Sequence, residues 1–183
     1  MDDALLLMIE MNEWTWKRFK DDLHDVTPEE VDWRPLPQAN TINAIVKHLR
    51  VEAEWYLASL EHGEQSPYQD TASVQELTES IPLDFAQNFQ ELEGLYGRFT
   101  AALREMTLAA LQQRTVLAQV FPGGAPYTAE LLSFRQAVHL AMHWGQIRTM
   151  ALANSSTGPQ PDSPRLGLGE RAQRAPPPPL SLR

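Results

Sequence analysis

An all-α four-helix bundle with long connectors, followed by a flexible proline-rich C-terminal tail, is the fold class this sequence predicts. Three observations lead there. Four long stretches read as helices, and in the first and third the inward residues alternate spacings of four and three, the seam of a packed bundle helix. Capping signals bracket those stretches. No strand pattern competes, apart from a short ambiguous "RTVLAQVF" before a "PGG" turn.

The first helix is marked by Leu5, Ile9, Asn12, Trp16, Phe19 and Leu23. A short turn follows at "TPEE", with Thr27 as N-cap, Pro28 in the first helical position and Glu30 closing a capping box. The prolines of "DWRPLPQAN" then forbid regular structure. A second long helix starts near Asn40 or Thr41 and ends at Gly63, a C-cap glycine. The third follows Ser80, with Pro82 in its first turn, and shows its seam at Phe85, Phe89, Leu92, Tyr96, Phe99 and Leu103. The fourth runs from about Thr128 to Ala153, closed by Asn154. The connectors are roughly 17, 18 and 22 residues by these boundaries, against ~2–8 in simple bundles. Connectors that long reach along a bundle, so simple up-down alternation is not implied.

Two segments result: residues 1–153 as the bundle and 154–183 as the tail. The tail segment 155–183 holds seven of the fourteen prolines and no aromatic residue, so it lacks the apolar surface to offset chain entropy. Residues 154–183 carry Arg165, Arg171, Arg174 and Arg183 against Asp162 and Glu170, a net +2, which leaves −11 on the rest of a chain whose total is −9. A body that acidic repels a phosphate backbone, so no nucleic-acid partner is expected. No stretch approaches the ~20 apolar residues of a membrane-spanning helix, and "MDDALLLMIEM" is acidic where a secretory leader would be basic. A cytoplasmic protein with no membrane partner is the expectation. With no cysteine, disulfides, thiolate metal sites and cysteine nucleophiles are excluded for this chain.

Chemistry concentrates in "HLAMHWGQ", residues 139–146. Stepping by four and three from Leu132 gives Gln136, His139, His143, Gln146 and Met150, a polar seam beside an apolar stripe of Leu131, Val138, Ala141, Met142 and Gly145, which reads as core. Imidazoles four residues apart lie about 6 Å apart along the axis and can converge on one ion. Of the other histidines, His24 and His62 sit at helix ends. His48 lies inside the second helix on the face of Ile45, Glu52 and Trp55. Taken alone it fits a satisfied core histidine. Three inward imidazoles, each needing a buried partner, fit a shared divalent cation better.

Three neutral histidines leave the cation's charge intact and a fourth position open, the pattern of a catalytic site. Zinc is the first choice; nickel, cobalt and iron also accept imidazoles. Position 140 is leucine, so the glutamate of H-E-x-x-H is missing. Ile45, Gln136 and Leu140 stand where a di-iron bundle needs glutamates.

The succession of "WRPLPQANTINAIVKHL" and, about ninety residues later, "HLAMHWGQI" resembles the DinB/YfiT-like superfamily of candidate metalloenzymes, over roughly residues 3–153. The resemblance implies a three-histidine metal site at His48, His139 and His143, often in a homodimer. Some relatives use a low-molecular-weight thiol cosubstrate: bacillithiol, mycothiol or glutathione. The expected function is then a metal-dependent enzyme whose open position activates a thiol or water, giving S-transferase or hydrolase chemistry on a small molecule. A non-catalytic stress-response bundle that binds metal or ligand is the alternative. Glu52, one turn beyond His48, is the candidate general base, with an exposed surface glutamate as its plain reading. Gln146 and Asn12 are candidates to orient ligands or contact substrate, or else buried amides that fix helix register.

Overall fold

The structure, a computed structural model, describes residues 2–24, 26–67, 71–117 and 127–155. The proline-rich tail lies outside these residues. Seven helices are described: α1 (Asp3–Leu23), α2 (Pro28–Val31), α3 (Ile42–His62), α4 (Thr71–Ser80), α5 (Phe85–Arg104), α6 (Leu108–Gln113) and α7 (Ala129–Ser155). The long ones, α1, α3, α5 and α7, form the four-helix bundle. One short ribbon, β1 (Thr115–Leu117) against β2 (Tyr127–Thr128), joins α6 to α7.

Local chemistry sets most boundaries. Asp2 caps α1 through the Ala4 amide, and Thr27 with Glu30 completes the capping box of α2. Thr41 caps α3, which Gly63 ends at φ 58°. Two expected boundaries move. α5 begins at Phe85, because the Asp84 carboxylate captures the Gln87 amide as its N-cap, so Pro82 precedes the helix instead of sitting in its first turn. α7 runs through Asn154, its expected closing residue, to Ser155. α4 is a further helix that the sequence pattern does not announce. Its sequence TASVQELTES offers only Val74 and Leu77 as large apolar residues, too few for a visible period.

Contacts between helices give their directions. Lys20–Glu93 (2.7 Å) and Arg104–Glu13 (2.6 Å) make α1 and α5 antiparallel. Arg50–Glu91 and Arg98–Glu61 make α3 and α5 parallel. Asn12 Nδ2 donates to the Ser133 carbonyl at 3.2 Å, and Asp22 meets Trp144 and Arg148 farther along, so α1 and α7 are parallel. At the far end the Arg114 guanidinium donates to the Leu60 carbonyl, while the Ala129 amide donates to the Arg114 carbonyl at 2.8 Å. That brings the end of α3 to the start of α7, which are antiparallel. A parallel α3–α5 pair requires the chain to return along the bundle, and the long segment containing α4 makes that return.

The core is split. One cluster gathers Phe19, Leu23, Leu49, Phe89, Leu92 and Leu140; the other gathers Ile9, Trp55, Leu60, Phe99, Leu103 and Leu132. Between them α1 contributes Asn12 and Thr15, and α7 contributes Ser133, Gln136 and His139. The functional candidates fall in this polar belt.

The apolar stripe of α7 corrects an expectation. Val138 and Met142 are 50% and 52% exposed, and with Leu7 (58%) and Trp14 (54%) they form an outward face shared by α1 and α7. That stripe is surface rather than core. Phe99, fully buried on α5, is by contrast a structural anchor. Phe99→Ala should cost about 3–5 kcal/mol in urea unfolding, and a loss below about 1 kcal/mol would contradict the core as drawn.

Candidate metal centre

α3 and α7 run antiparallel with His48 opposite His139 and His143. Each residue is placed by helix periodicity: His139 and His143 share a face one turn apart, and His48 projects from the neighbouring helix between Ile45 and Leu49 of the core. The three imidazoles meet through their Nε2 atoms. His139 Nε2 lies 3.2 Å from that of His48 and 3.0 Å from that of His143. The ligand atoms all fall within 4.8 Å of one another.

Hydrogen bonding alone does not satisfy this arrangement. An Nε2 atom carries either one N–H or one in-plane lone pair, so that of His139 serves one neighbour at a time. A tetrahedral cation with bonds of about 2.0–2.1 Å holds its ligand nitrogens ~3.3 Å apart. The observed spacings sit close to that edge length, so the residues fit a cation.

The protonation states agree. Burial, then the neighbouring His143, lowers the His48 pKa from 6.5 to about 4. Burial, then His143, His48 and Arg135, lowers that of His139 to about 3. His143 is also lowered by burial, against the opposing pull of Gln146. All three are neutral near pH 7, the state in which an imidazole offers a lone pair. Gln146 Oε1 lies 2.8 Å from His143 Nδ1. Accepting the Nδ1 proton would place the lone pair of His143 on Nε2, the atom that faces the other histidines.

Glu52 stands one turn beyond His48. Burial raises its carboxyl pKa, while the Arg135 guanidinium and the Tyr56 hydroxyl lower it. The plain reading of an exposed glutamate does not hold, since Glu52 is half-buried and faces polar neighbours. Asn12 is fully buried, and its amide nitrogen donates to the Met8 and Ser133 carbonyls. These bonds lock α1 against α7 and do not reach the imidazoles. Gln146 is exposed despite its place in the seam, because His143 lies at the edge of the core. His24 and His62 remain at helix ends. Trp55 is core, and Trp144 donates to Asp22 at the surface.

The sequence assigns no role to three neighbours of Glu52, namely Tyr56, Tyr96 and Arg135, while Gln136, already placed in the polar seam, faces Tyr96. Tyr56 follows Glu52 by one turn, a spacing visible in the sequence. Tyr96 comes from α5, and only the parallel α3–α5 packing brings it in. Burial raises both phenols well above their usual range, so both stay protonated.

The sequence model of the DinB superfamily matches residues 11–147. No curated protein matches. Among solved structures, the chain is similar to YfiT from Bacillus subtilis, described as a probable metal-dependent hydrolase with an unusual four-helix bundle topology. That likeness has 18% identity and TM-score 0.65, over 85% of this chain and 90% of the other. A mycothiol-dependent maleylpyruvate isomerase is similar at 13% identity and TM-score 0.61, over 78% of this chain and 60% of its own. A conserved protein from Enterococcus faecalis follows at 16% and 0.56, over 79% and 93%.

The lowered histidine pKa values set a pH dependence. Between about pH 6.5 and 4 the unfolded chain binds protons that folded His48 and His139 do not, so their neutral burial favours folding at neutral pH and that advantage is lost on acidification. The Tm of metal-free protein should fall through this window, and a His48→Gln/His139→Gln variant should flatten the fall. An unchanged slope in that variant would refute the assignment.

Proposed function

This chain belongs to the DinB superfamily, and from that premise we propose that it is a metal-dependent enzyme acting on a small cytoplasmic molecule. The observation that carries the proposal is the approach of three neutral Nε2 atoms to a common point in the polar belt of the bundle. His48, His139 and His143 would hold one divalent cation, with zinc the first choice and nickel, cobalt or iron(II) the alternatives. When bound, such a cation supplies a Lewis-acid centre whose open position lowers the pKa of a water or a low-molecular-weight thiol.

The chain's own residues supply the rest. Gln146 fixes the His143 tautomer. Glu52 is the proton acceptor: burial lifts its pKa toward the working range, while Arg135 keeps the carboxylate form accessible. Asn12 holds the register of α1 and α7, so its contribution to the site is positional. Both S-transfer and hydrolysis are open to this set; the descriptions of one similar structure as a probable metal-dependent hydrolase and of another as a mycothiol-dependent enzyme support metal and thiol use. A non-catalytic metal-binding bundle is the competing reading, which the half-buried Glu52 disfavours.

The homodimer implied by the resemblance has a natural place. Leu7, Trp14, Val138 and Met142 line an outward apolar face of α1 and α7, with a groove of about 450 Å³ between the helices. We assign this face to a second copy of the chain. Val138→Glu should convert a dimer into a monomer in light scattering with its helicity intact; a monomeric parent protein would sink the assignment.

Elemental analysis of untagged protein tests the main reading. About one transition metal per chain is expected, lost in His139→Ala while the circular dichroism stays helical. Glu52→Gln should retain the metal and lose turnover by about 100-fold or more. Full metal content in His139→Ala would rule out the site.

A further inference from the structure

Next to the imidazoles, the polar belt holds side chains that the fold itself does not use. Gln136 lies one turn before His139 on α7 and is 1% exposed. Neither Nε2 nor Oε1 of its amide reaches a hydrogen-bond partner among the described residues. The same is true of the Tyr56 hydroxyl, which lies beside Glu52 without achieving hydrogen-bonding geometry. Tyr96 of α5 faces the Gln136 amide closely enough to act on it electrostatically, as Tyr56 does on Glu52, yet without a bond of hydrogen-bonding geometry.

Buried polar atoms left in this state cost about 1–3 kcal/mol each. A side chain retained only for helix register would look like Asn12, whose amide nitrogen is bonded to two backbone carbonyls. A side chain retained only for packing would be leucine. Gln136 does neither job, and it sits within one turn of a metal-ligand candidate. Its unmet donor and acceptor point to a guest.

The chemistry of the group selects the guest. Gln136 presents a donor and an acceptor on one amide plane, and the Tyr56 phenol is a protonated donor. A carboxamide-type group is complementary: its carbonyl accepts from Gln136 Nε2 or Tyr56, and its N–H donates to Gln136 Oε1. A carboxylate offers acceptors alone. It would leave Oε1 unsatisfied and set a second anion near Glu52. We propose that Gln136 and Tyr56 are positioning residues that hold an uncharged, amide-like group of the substrate beside the three-histidine site.

This inference rests on the metal reading above, and the test separates the two. The full chain is loaded with one equivalent of cobalt(II), and acetohydroxamic acid is titrated by calorimetry and by the cobalt visible spectrum. Acetate serves as the carboxylate control. In Gln136→Leu, hydroxamate binding should weaken about tenfold with cobalt stoichiometry unchanged, and acetate binding should shift less than about twofold. Tyr56→Phe should weaken the hydroxamate by a smaller factor. Because an unsatisfied amide leaves the core, the Tm of Gln136→Leu should also rise, by about 2–4 °C. Gln136→Glu, which keeps the shape and removes the donor, should lose hydroxamate binding even if the leucine variant folds poorly.

Unchanged hydroxamate affinity in both Gln136 variants would mean that the group holds only ordered water, and would overturn the inference while leaving the metal site standing. A fall in Tm together with loss of cobalt would assign Gln136 to structure and overturn it as well. Failure of the parent protein to bind cobalt would remove the metal reading and this inference with it.

Discussion

The antiparallel register of α3 against α7 is the constraint on which the rest depends. Sliding α7 by one residue moves each imidazole by about 1.5 Å along the axis and turns it by about 100°, enough to separate Nε2 atoms now 3.0 and 3.2 Å apart. Nothing in three uncharged histidines enforces that register by itself. The scaffold enforces it from both sides. Asn12 ties Ser133 of α7 to α1, and Arg114 links the Leu60 carbonyl of α3 to the first residue of α7. The site is therefore preorganised by hydrogen bonds that lie outside it.

The parallel α3–α5 pair serves the same end. It places Tyr96 alongside Glu52 and Gln136, and it requires a chain return that ordinary up-down bundles avoid. A long connector adds little loop-closure cost, since that cost grows only with the logarithm of length. The fold thus surrounds one polar belt with four long helices at modest entropic expense.

How much of this was legible in the sequence depended on whether the deciding interaction was local. The seams of α1 and α5, the Thr27 capping box and the Gly63 terminus are written in spacings of three and four or in single residues, and they appear where expected. His48, His139 and His143 stood out for the same reason, as polar residues interrupting helical periodicity. α7 was harder. It carries apolar residues on both sides of its polar seam, so its period does not say whether Leu131, Val138 and Met142 face core or water. Helix directions were unreadable because they follow from pairs such as Arg50–Glu91, which no local pattern announces. The Tyr56–Gln136 group needed three helices in place before it existed at all.

The division of the core explains how a small bundle tolerates so much buried polarity. Phe19, Leu49, Phe89 and Leu140 pack at one end, while Ile9, Trp55, Phe99 and Leu132 pack at the other. Each cluster binds all four long helices by itself, so the middle layer need not contribute cohesion. Unsatisfied groups such as Gln136 would be ruinous in a single continuous core of this size, where stability is only about 5–15 kcal/mol. Held between two apolar ends, they are shielded from bulk water. On the inference drawn above, that confinement would keep their donors and acceptors available to a ligand, and preorganisation of this kind lowers the cost of binding one. The belt is weak as structure for the same reason that it is suited to chemistry.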